Sequence, residues 1–162
     1  MPLIEELKEI TTGIYVLTVR DGEIRHGMSS SWVTQVSGEP PLLAAAVDAN
    51  HFSHGVIRKT GRFGLNVVGR SAKMLEDYFY SPAARETDNL SHFATEDGPG
   101  GVPLLVDAMV AFGCRVEAEH PAGDHTLFVA SVECVRHGAR DTALTSQDLE
   151  YVYLGTGRIV RR

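Results

Sequence analysis

The chain has 162 residues, 43% of them hydrophobic, with 15 Lys and Arg against 21 Asp and Glu for a formal net charge of -6. A chain of this size is expected to fold as one domain over residues 1–162, burying roughly two thirds of the surface it exposes when unfolded. The acidic balance argues against the sequence-independent phosphate attraction on which nucleic-acid binding relies. The longest apolar run, residues 42–47, falls far short of the roughly 20 residues that span a bilayer, so no membrane association is expected. The start of the chain is acidic and broken by charge, unlike a secretory signal, and a cytoplasmic location is expected. Cys114 and Cys134 lack metal-site spacing and sit among strand-forming residues, which reads as buried reduced thiols.

In chain order, Leu3, Ile4, Leu7 and Ile10 recur at helical spacing between charges and predict a short amphipathic helix, ended by Gly13. Residues 15–19 are rich in β-branched and aromatic residues, and Asp21-Gly22 then predicts a two-residue hairpin. The returning strand enters residues 27–41, Gly-Met-Ser-Ser-Ser-Trp-Val-Thr-Gln-Val-Ser-Gly-Glu-Pro-Pro. Three serines in a row put hydroxyls on both faces of a strand, so at least one would be buried and need a partner. An exposed Ser-rich loop is the other reading. Trp32, Val33 and Val36 look half-buried and favour the first. Pro40-Pro41 then turns the chain into residues 42–47, whose nearly continuous apolar character suits a central strand.

Residues 50–61 predict a short helix, with Asn50 or Ser53 as cap, Val56 and Ile57 on a buried edge and Gly61 at the left-handed stop. The N-terminus of a helix that starts just past a strand meets the requirement for a phosphate site, with Ser53 and His54 near it, although a plain capped helix has the same signature. Residues 63–68 read as a strand carrying Asn66, and residues 71–79 as a helix with Met74, Leu75, Tyr78 and Phe79 on one face. Residues 81–101 hold Pro82, Pro99 and many charges, the composition either of a lid or interface arm anchored at His92 and Phe93 or of a surface loop. Residues 104–112 and 114–119 are predicted to pair around Gly113, and residues 126–136 to form a long strand after a turn at 121–124. Phe112, Val116, Phe128, Val129 and Val132 are the expected core of this half. Residues 151–154 suit a last strand. Hairpins in this number, with few helices, predict a mainly β fold, a closed or partly closed barrel with a few short flanking helices.

His125 follows Gly-Asp at a turn and precedes a strand, which presents it at a barrel rim beside Asp124; a histidine bonding turn backbone fits the same place. His26 and His51 flank the serine and helix segments, while His120 and His137 are expected in solvent. Seven histidines occur without a His-x-x-x-His pair or clustered carboxylates, so no metal site is predicted. No Gly-x-Ser-x-Gly elbow and no strand–Gly-x-Gly-x-x-Gly–helix pattern is present, which argues against a serine hydrolase and a Rossmann domain.

The run at 27–41 resembles the signature of the flavin reductase-like family, the FMN-binding split barrels. The resemblance continues through Asn50-His51-Phe52-Ser53-His54, Ile57, Gly61-Arg62-Phe63, Asn66-Val67 and Gly123-Asp124-His125-Thr126-Leu127-Phe128-Val129 in the expected order. It implies a Greek-key-like split β-barrel that holds FMN, with FAD as the alternative. It places Met28, Ser29, Ser30, Ser31 and Trp32 along the ring and ribityl chain, and Asp48, Asn50, Ser53 and His54 near the phosphate. It assigns Asn66 to the ribityl side and His125 to nicotinamide contact or proton handling. It also implies a homodimer.

Three functions follow as expectations. The first is a flavin reductase that passes a hydride from NADH or NADPH to flavin, supplying a partner monooxygenase. The second is a flavoredoxin-like carrier reduced by a redox protein, and the third a non-catalytic barrel used as a binding module. Without a Rossmann fold, the nicotinamide of the first has to stack directly on the flavin, and the protein contributes position and hydrogen bonds around it.

Overall fold

A computed structural model describes residues 2–162. Strands β1 (Tyr15–Asp21) and β2 (Ile24–Ser30) form the first hairpin, with Asp21 opposite Ile24. Its turn residues are therefore Gly22 and Glu23, one position beyond the Asp-Gly reading, and Gly22 takes the positive φ of 60° that the tight turn needs. β3 (Val33–Gly38) and β4 (Pro41–Asp48) form a second hairpin across the two prolines. Helix α1 (Phe52–Thr60) leads into β5 (Arg62–Val67), and helix α2 (Lys73–Tyr80) follows a short 3-10 turn. β6 (Thr95–Asp97) and β7 (Pro103–Leu105) pair as a small ribbon. β8 (Val110–Ala122) and β9 (His125–His137) form the long hairpin, and β10 (Tyr151–Tyr153) with β11 (Ile159–Arg161) a terminal ribbon.

Seven strands make one sheet in the order β2-β1-β5-β8-β9-β4-β3. Its two edges, β2 and β3, are consecutive in sequence and separated only by Ser31 and Trp32. Three Cα steps reach about 11 Å at most, so the sheet has to roll until its edges nearly meet. The result is a barrel with an unzipped seam at Ser31–Trp32, where Trp32 leaves the strands but still accepts the Ala46 N–H through its carbonyl at 2.9 Å.

Alternation along β1 feeds two cores. Leu17 and Val19 point into the barrel with Ala45, Val47, Phe63, Leu65, Phe128 and Ala130, joined by Val56 and Ile57 of α1. Val16 points out, to a second cluster with Leu75 and Phe79 of α2 and with Leu90, Leu105 and Leu144. In β9 the inward positions are Phe128 and Ala130, so Val129 and Val132 lie only partly buried, off the core expected for them. Val36 is likewise exposed, because β3 is an edge strand with a register shift just before Ser37.

Several local expectations change. The N-terminal segment is a five-residue 3-10 turn, Glu5–Glu9, and Leu3, Ile4, Leu7 and Ile10 stay exposed; so short a segment does not sustain an α-helix without a surface to bury it. His51, not Asn50 or Ser53, caps α1, its Nδ1 accepting the Ser53 N–H at 3.1 Å. Asp48 has already taken the Asn50 N–H at 2.8 Å, which leaves His51 as the last extended residue. The chain turns between Leu105 and Val110, and β8 is continuous through Gly113, with a register shift against β9 just after it. A Cβ there would meet Cys134 Sγ at 2.7 Å, so the glycine makes room for that side chain. On α2 the inward residues are Leu75, Glu76 and Phe79, with Met74 exposed. The segment at 81–101 folds back on its own chain. Asn89, fully buried, donates to the carbonyls of Gly27 and Ala84 and accepts the Gly27 N–H, each at 2.7–2.8 Å; Asn89 and Leu90 anchor the segment, with half-buried Phe93 beside them and His92 exposed. No helix among the described residues is long and apolar enough to cross a membrane.

Candidate functional site at the barrel seam

A cavity of about 480 Å³ opens where the seam lies, within the range of about 300–1,000 Å³ usual for small-molecule sites. One side is Met28, Ser29, Ser30, Ser31 and Trp32, brought there because β2 ends and the chain crosses to β3. The opposite wall is Tyr151, Val152, Tyr153 and Leu154 of the terminal ribbon, with Thr156 and Gly157 beyond it. Glu76, Phe79 and Tyr80 of α2 form the floor, and Leu7 and Ile10 stand at the rim.

At one end lies an aromatic cluster. The Trp32 ring is 4.6 Å from His125 and 5.0 Å from Tyr153, centroid to centroid. His125 is 4% exposed and both of its nitrogens are engaged, Nδ1 with Asp124 Oδ1 at 2.6 Å and Nε2 with the Tyr153 hydroxyl at 3.1 Å. An ionised aspartate accepts only, so Nδ1 carries the proton and Nε2 accepts from the phenol. Burial, with the nearby Asp48 charge, pushes the Tyr153 hydroxyl up to about 12, which keeps it a donor. Asp48 joins this end by accepting from the Thr156 hydroxyl.

At the other end sits Glu76. Its Oε2 accepts from Ser29 Oγ at 2.6 Å and its Oε1 from the Tyr151 hydroxyl at 3.1 Å, while Tyr80 stacks on Tyr151 at 4.1 Å. Glu76 is 2% exposed, and desolvation raises its pKa to about 7. His51 also lines the cavity; desolvation, with some repulsion from His26, lowers it to about 4, so it is neutral at pH 7. A smaller recess next to the cavity holds His26, Phe52 and Arg85 and shares Met28, His51, Phe79 and Tyr80 with it.

The structure thus gathers Met28, Ser29, Ser30, Ser31, Trp32, Asp48 and His125 in one cavity. It places the other four candidates elsewhere. Asn50 is exposed beside the capping turn, and His54 turns away, its Nε2 paired with Thr126 Oγ1 at 2.8 Å and its ring against Phe128. Ser53 is fully buried, and its hydroxyl is the one buried side-chain polar atom among the described residues without a partner. Asn66 is committed to the fold: its amide donates to Val16 O and Thr18 Oγ1 and accepts the Leu105 N–H at 2.7 Å. Glu76, Tyr151, Tyr153 and Thr156 were not singled out by the sequence. Only the acid on the apolar face of α2 left a readable signal, a charge one residue after Leu75 where the face should be greasy. Among the described residues no three His, Cys, Asp or Glu side chains gather at metal-binding spacing. Both cysteines are free, and burial pushes Cys114 up to about 12.

A cavity with hydroxyls along one edge and aromatic rings at its end suits a flat heterocycle with polar edges, and a flavin ring has that character. The Ser53 hydroxyl, buried in the first turn of α1 and outside the cavity lining, is the remaining unmet hydrogen-bonding group among the described residues. The architecture is that of a split β-barrel.

The model of the flavin reductase like domain matches residues 7–155, and the chain belongs to that family. It is 34% identical over 130 residues to an NADH-dependent flavin reductase of Rhodococcus sp., covering 78% of this chain and 71% of that one. It is 27% identical over 124 residues to a diflavin flavoprotein of Synechocystis sp., of which it spans only 22%. Among solved structures it resembles the styrene monooxygenase flavin reductase of Pseudomonas putida S12, with a TM-score of 0.75, 30% identity and coverage of 87% of this chain and 89% of that one.

Proposed function

We propose that this chain, as a single domain over residues 1–162, is a flavin reductase that passes a hydride from NADH or NADPH to flavin held at the seam. FMN is the proposed form, with FAD as the alternative. When bound, the flavin supplies the hydride-accepting ring, and the protein supplies its position and surroundings. The observation that carries this reading is the seam itself: the Ser29–Ser31 hydroxyls and peptide groups lie beside the Trp32–His125–Tyr153 cluster in one cavity. Ser29, Ser30 and Ser31 offer hydrogen bonds to the ring edge and ribityl chain. Trp32 limits water on the ring face, and His125, oriented by Asp124 and Tyr153, holds a proton at Nδ1. The phosphate is assigned to the α1 end, outside the cavity; Ser53 there is fully buried, so its unpartnered hydroxyl reaches a phosphate only when the first turn of α1 opens.

A homodimer is part of the proposal. Leu3, Ile4, Leu7 and Ile10 leave an exposed apolar strip of which Leu7 and Ile10 reach the cavity rim, and a second copy laid there would bury it. Delivery of reduced flavin to a partner monooxygenase, in the cytoplasm, completes the reading; the likeness to a styrene monooxygenase flavin reductase supports it. The test is an anaerobic visible spectrum of the purified protein before and after NADH or NADPH, with dithionite as a donor that needs no binding site. Bleaching by a nucleotide is the expected result.

One observation favours the carrier reading. His125 lies under Trp32 with both nitrogens engaged, so a nicotinamide that touches it has to displace Trp32 or Tyr153, whereas a protein electron donor has no such need. Reduction by dithionite but by neither nucleotide would select the carrier.

A further inference from the structure

Glu76 is a carboxyl group walled into the floor of the cavity, and the reading above gives it no task. Nothing neutralises it: among the described residues it makes no ion pair, and the cation of its own helix, Lys73, is bound to Asp77 at 2.6 Å. From β2 it meets the Ser29 hydroxyl, from β10 the Tyr151 hydroxyl, and Tyr80 of its own helix lies on Tyr151. Among the described residues, the charges that act on it are Asp77 and Lys73 of its own helix.

The direction of these hydrogen bonds depends on one proton. An ionised carboxylate only accepts, so Ser29 and Tyr151 both turn their protons toward Glu76, and Ser29 is left with lone pairs facing the cavity. A protonated Glu76 donates instead. Donation from Oε2 to Ser29 Oγ frees the serine proton to point at whatever occupies the cavity. We propose that Glu76 is a specificity-determining residue whose proton decides whether Ser29 offers the site a donor or an acceptor, so that a ligand with acceptor atoms at its edge, or with negative charge, binds together with a proton. The ligand class rests on the flavin reading: a flavin ring has carbonyl oxygens and ring nitrogens as acceptors along most of its edge. Burial that raises the carboxyl to about 7 puts the exchange near neutral pH.

The balance is simple. One proton passes from solvent to the Glu76 carboxylate as the ligand enters, and no covalent bond to the ligand forms or breaks. Because the binding form is the protonated one, affinity is full below the titration and falls as pH rises through it.

The test uses riboflavin, which has no phosphate to titrate, and measures its dissociation constant by fluorescence quenching. For the wild-type protein it is expected to weaken about tenfold from about pH 6 to about pH 8. Glu76→Gln keeps an amide donor toward Ser29 and is expected to bind like the wild type at low pH, with a profile flat within about twofold. Tyr151→Phe removes a bond that favours the ionised carboxyl, so the decline moves to higher pH, which loss of packing alone would not produce. A flat wild-type profile, or a decline that survives in Glu76→Gln, overturns the proposal. Absence of riboflavin binding at every pH overturns the flavin reading instead. The switch is then judged from the isotope-edited infrared band of the protonated Glu76 carboxyl in the free protein. Loss of that band near neutral pH upholds it, and loss below about pH 5, where ordinary glutamates titrate, overturns it.

Discussion

The phenol of Tyr153 meets Nε2 of His125 at 3.1 Å, although Tyr153 lies on β10 of the terminal ribbon and His125 on β9 of the seven-stranded sheet. That contact joins the end of the barrel rim to the wall opposite the serines. It fixes which face of the imidazole looks toward Trp32, and it makes the histidine's role separable from that of its partner.

His125→Ala is expected to slow flavin reduction by NADH by about 10² to 10⁴-fold if the imidazole handles a proton, leaving flavin bound. Tyr153→Phe keeps the ring and removes one hydrogen bond, so its loss is expected to be much smaller. Stopped-flow reduction by NADH, with dithionite as the control, measures both.

Glu76 makes stability depend on pH in a defined direction. Its folded pKa, about 7, lies above the ordinary glutamate value of 4.5, so between those values the folded chain holds a proton that the unfolded chain releases. Stability from this group is complete below about pH 4.5 and declines until about pH 7, by about 3 kcal/mol in all. Urea unfolding at a series of pH values is expected to show this decline in the wild type and its absence in Glu76→Gln.

Asn66 is expected to matter for folding first. Asn66→Ala leaves the buried Leu105 N–H, Val16 carbonyl and Thr18 hydroxyl oxygen without their side-chain partner, at a cost of about 2–5 kcal/mol for the broken buried bonds, three in all. The observable is a lower urea midpoint, with riboflavin affinity of the folded fraction unchanged. A selective loss of riboflavin binding would return Asn66 to the site.

Ser53→Ala removes a hydroxyl that has no partner in the fold, so stability is expected to stay the same or rise by about 1 kcal/mol. If the α1 end takes the phosphate, the Ser53→Ala, His54→Ala double variant weakens FMN while riboflavin binds as before. Equal affinities for FMN in wild type and variant would remove that assignment.

Gly27 faces α2 so closely that a Cβ would meet Phe79 Cε1 at 2.7 Å. Gly27→Ala is expected to cost about 1–3 kcal/mol through overpacking. Pushing α2 outward also lengthens the Ser29–Glu76 bond, so the infrared frequency of the Glu76 carboxyl is expected to move.

The barrel was legible because its signals are local. Alternation, the glycine at the first hairpin, the double proline and the Gly61 stop each act within a few residues, and each appears in place to within about one position. The serine segment and His125 were legible as well, since unusual polarity inside a strand pattern stands out. The Glu76–Ser29–Tyr151 group was not, because its members lie on α2, β2 and β10 and meet only when the sheet rolls. Asn66 misled for the reverse reason: a buried amide in a strand looks the same whether its partners are a ligand or the neighbouring backbone. The N-terminal spacing promised a helix, but five residues without a surface to cover settle into a 3-10 turn.

The two walls of the cavity lie more than a hundred positions apart in the chain, at Ser29–Trp32 and at Tyr151–Thr156. Hairpins such as β1–β2 and β8–β9 close over two residues, whereas this closure spans most of the molecule and has the larger entropic cost. The nucleus of folding is therefore expected among the hairpins, before any binding surface exists. A ligand that recognises both walls then leaves the refolding rate almost untouched and lengthens the lifetime of the native state, so its stabilisation shows in slower unfolding.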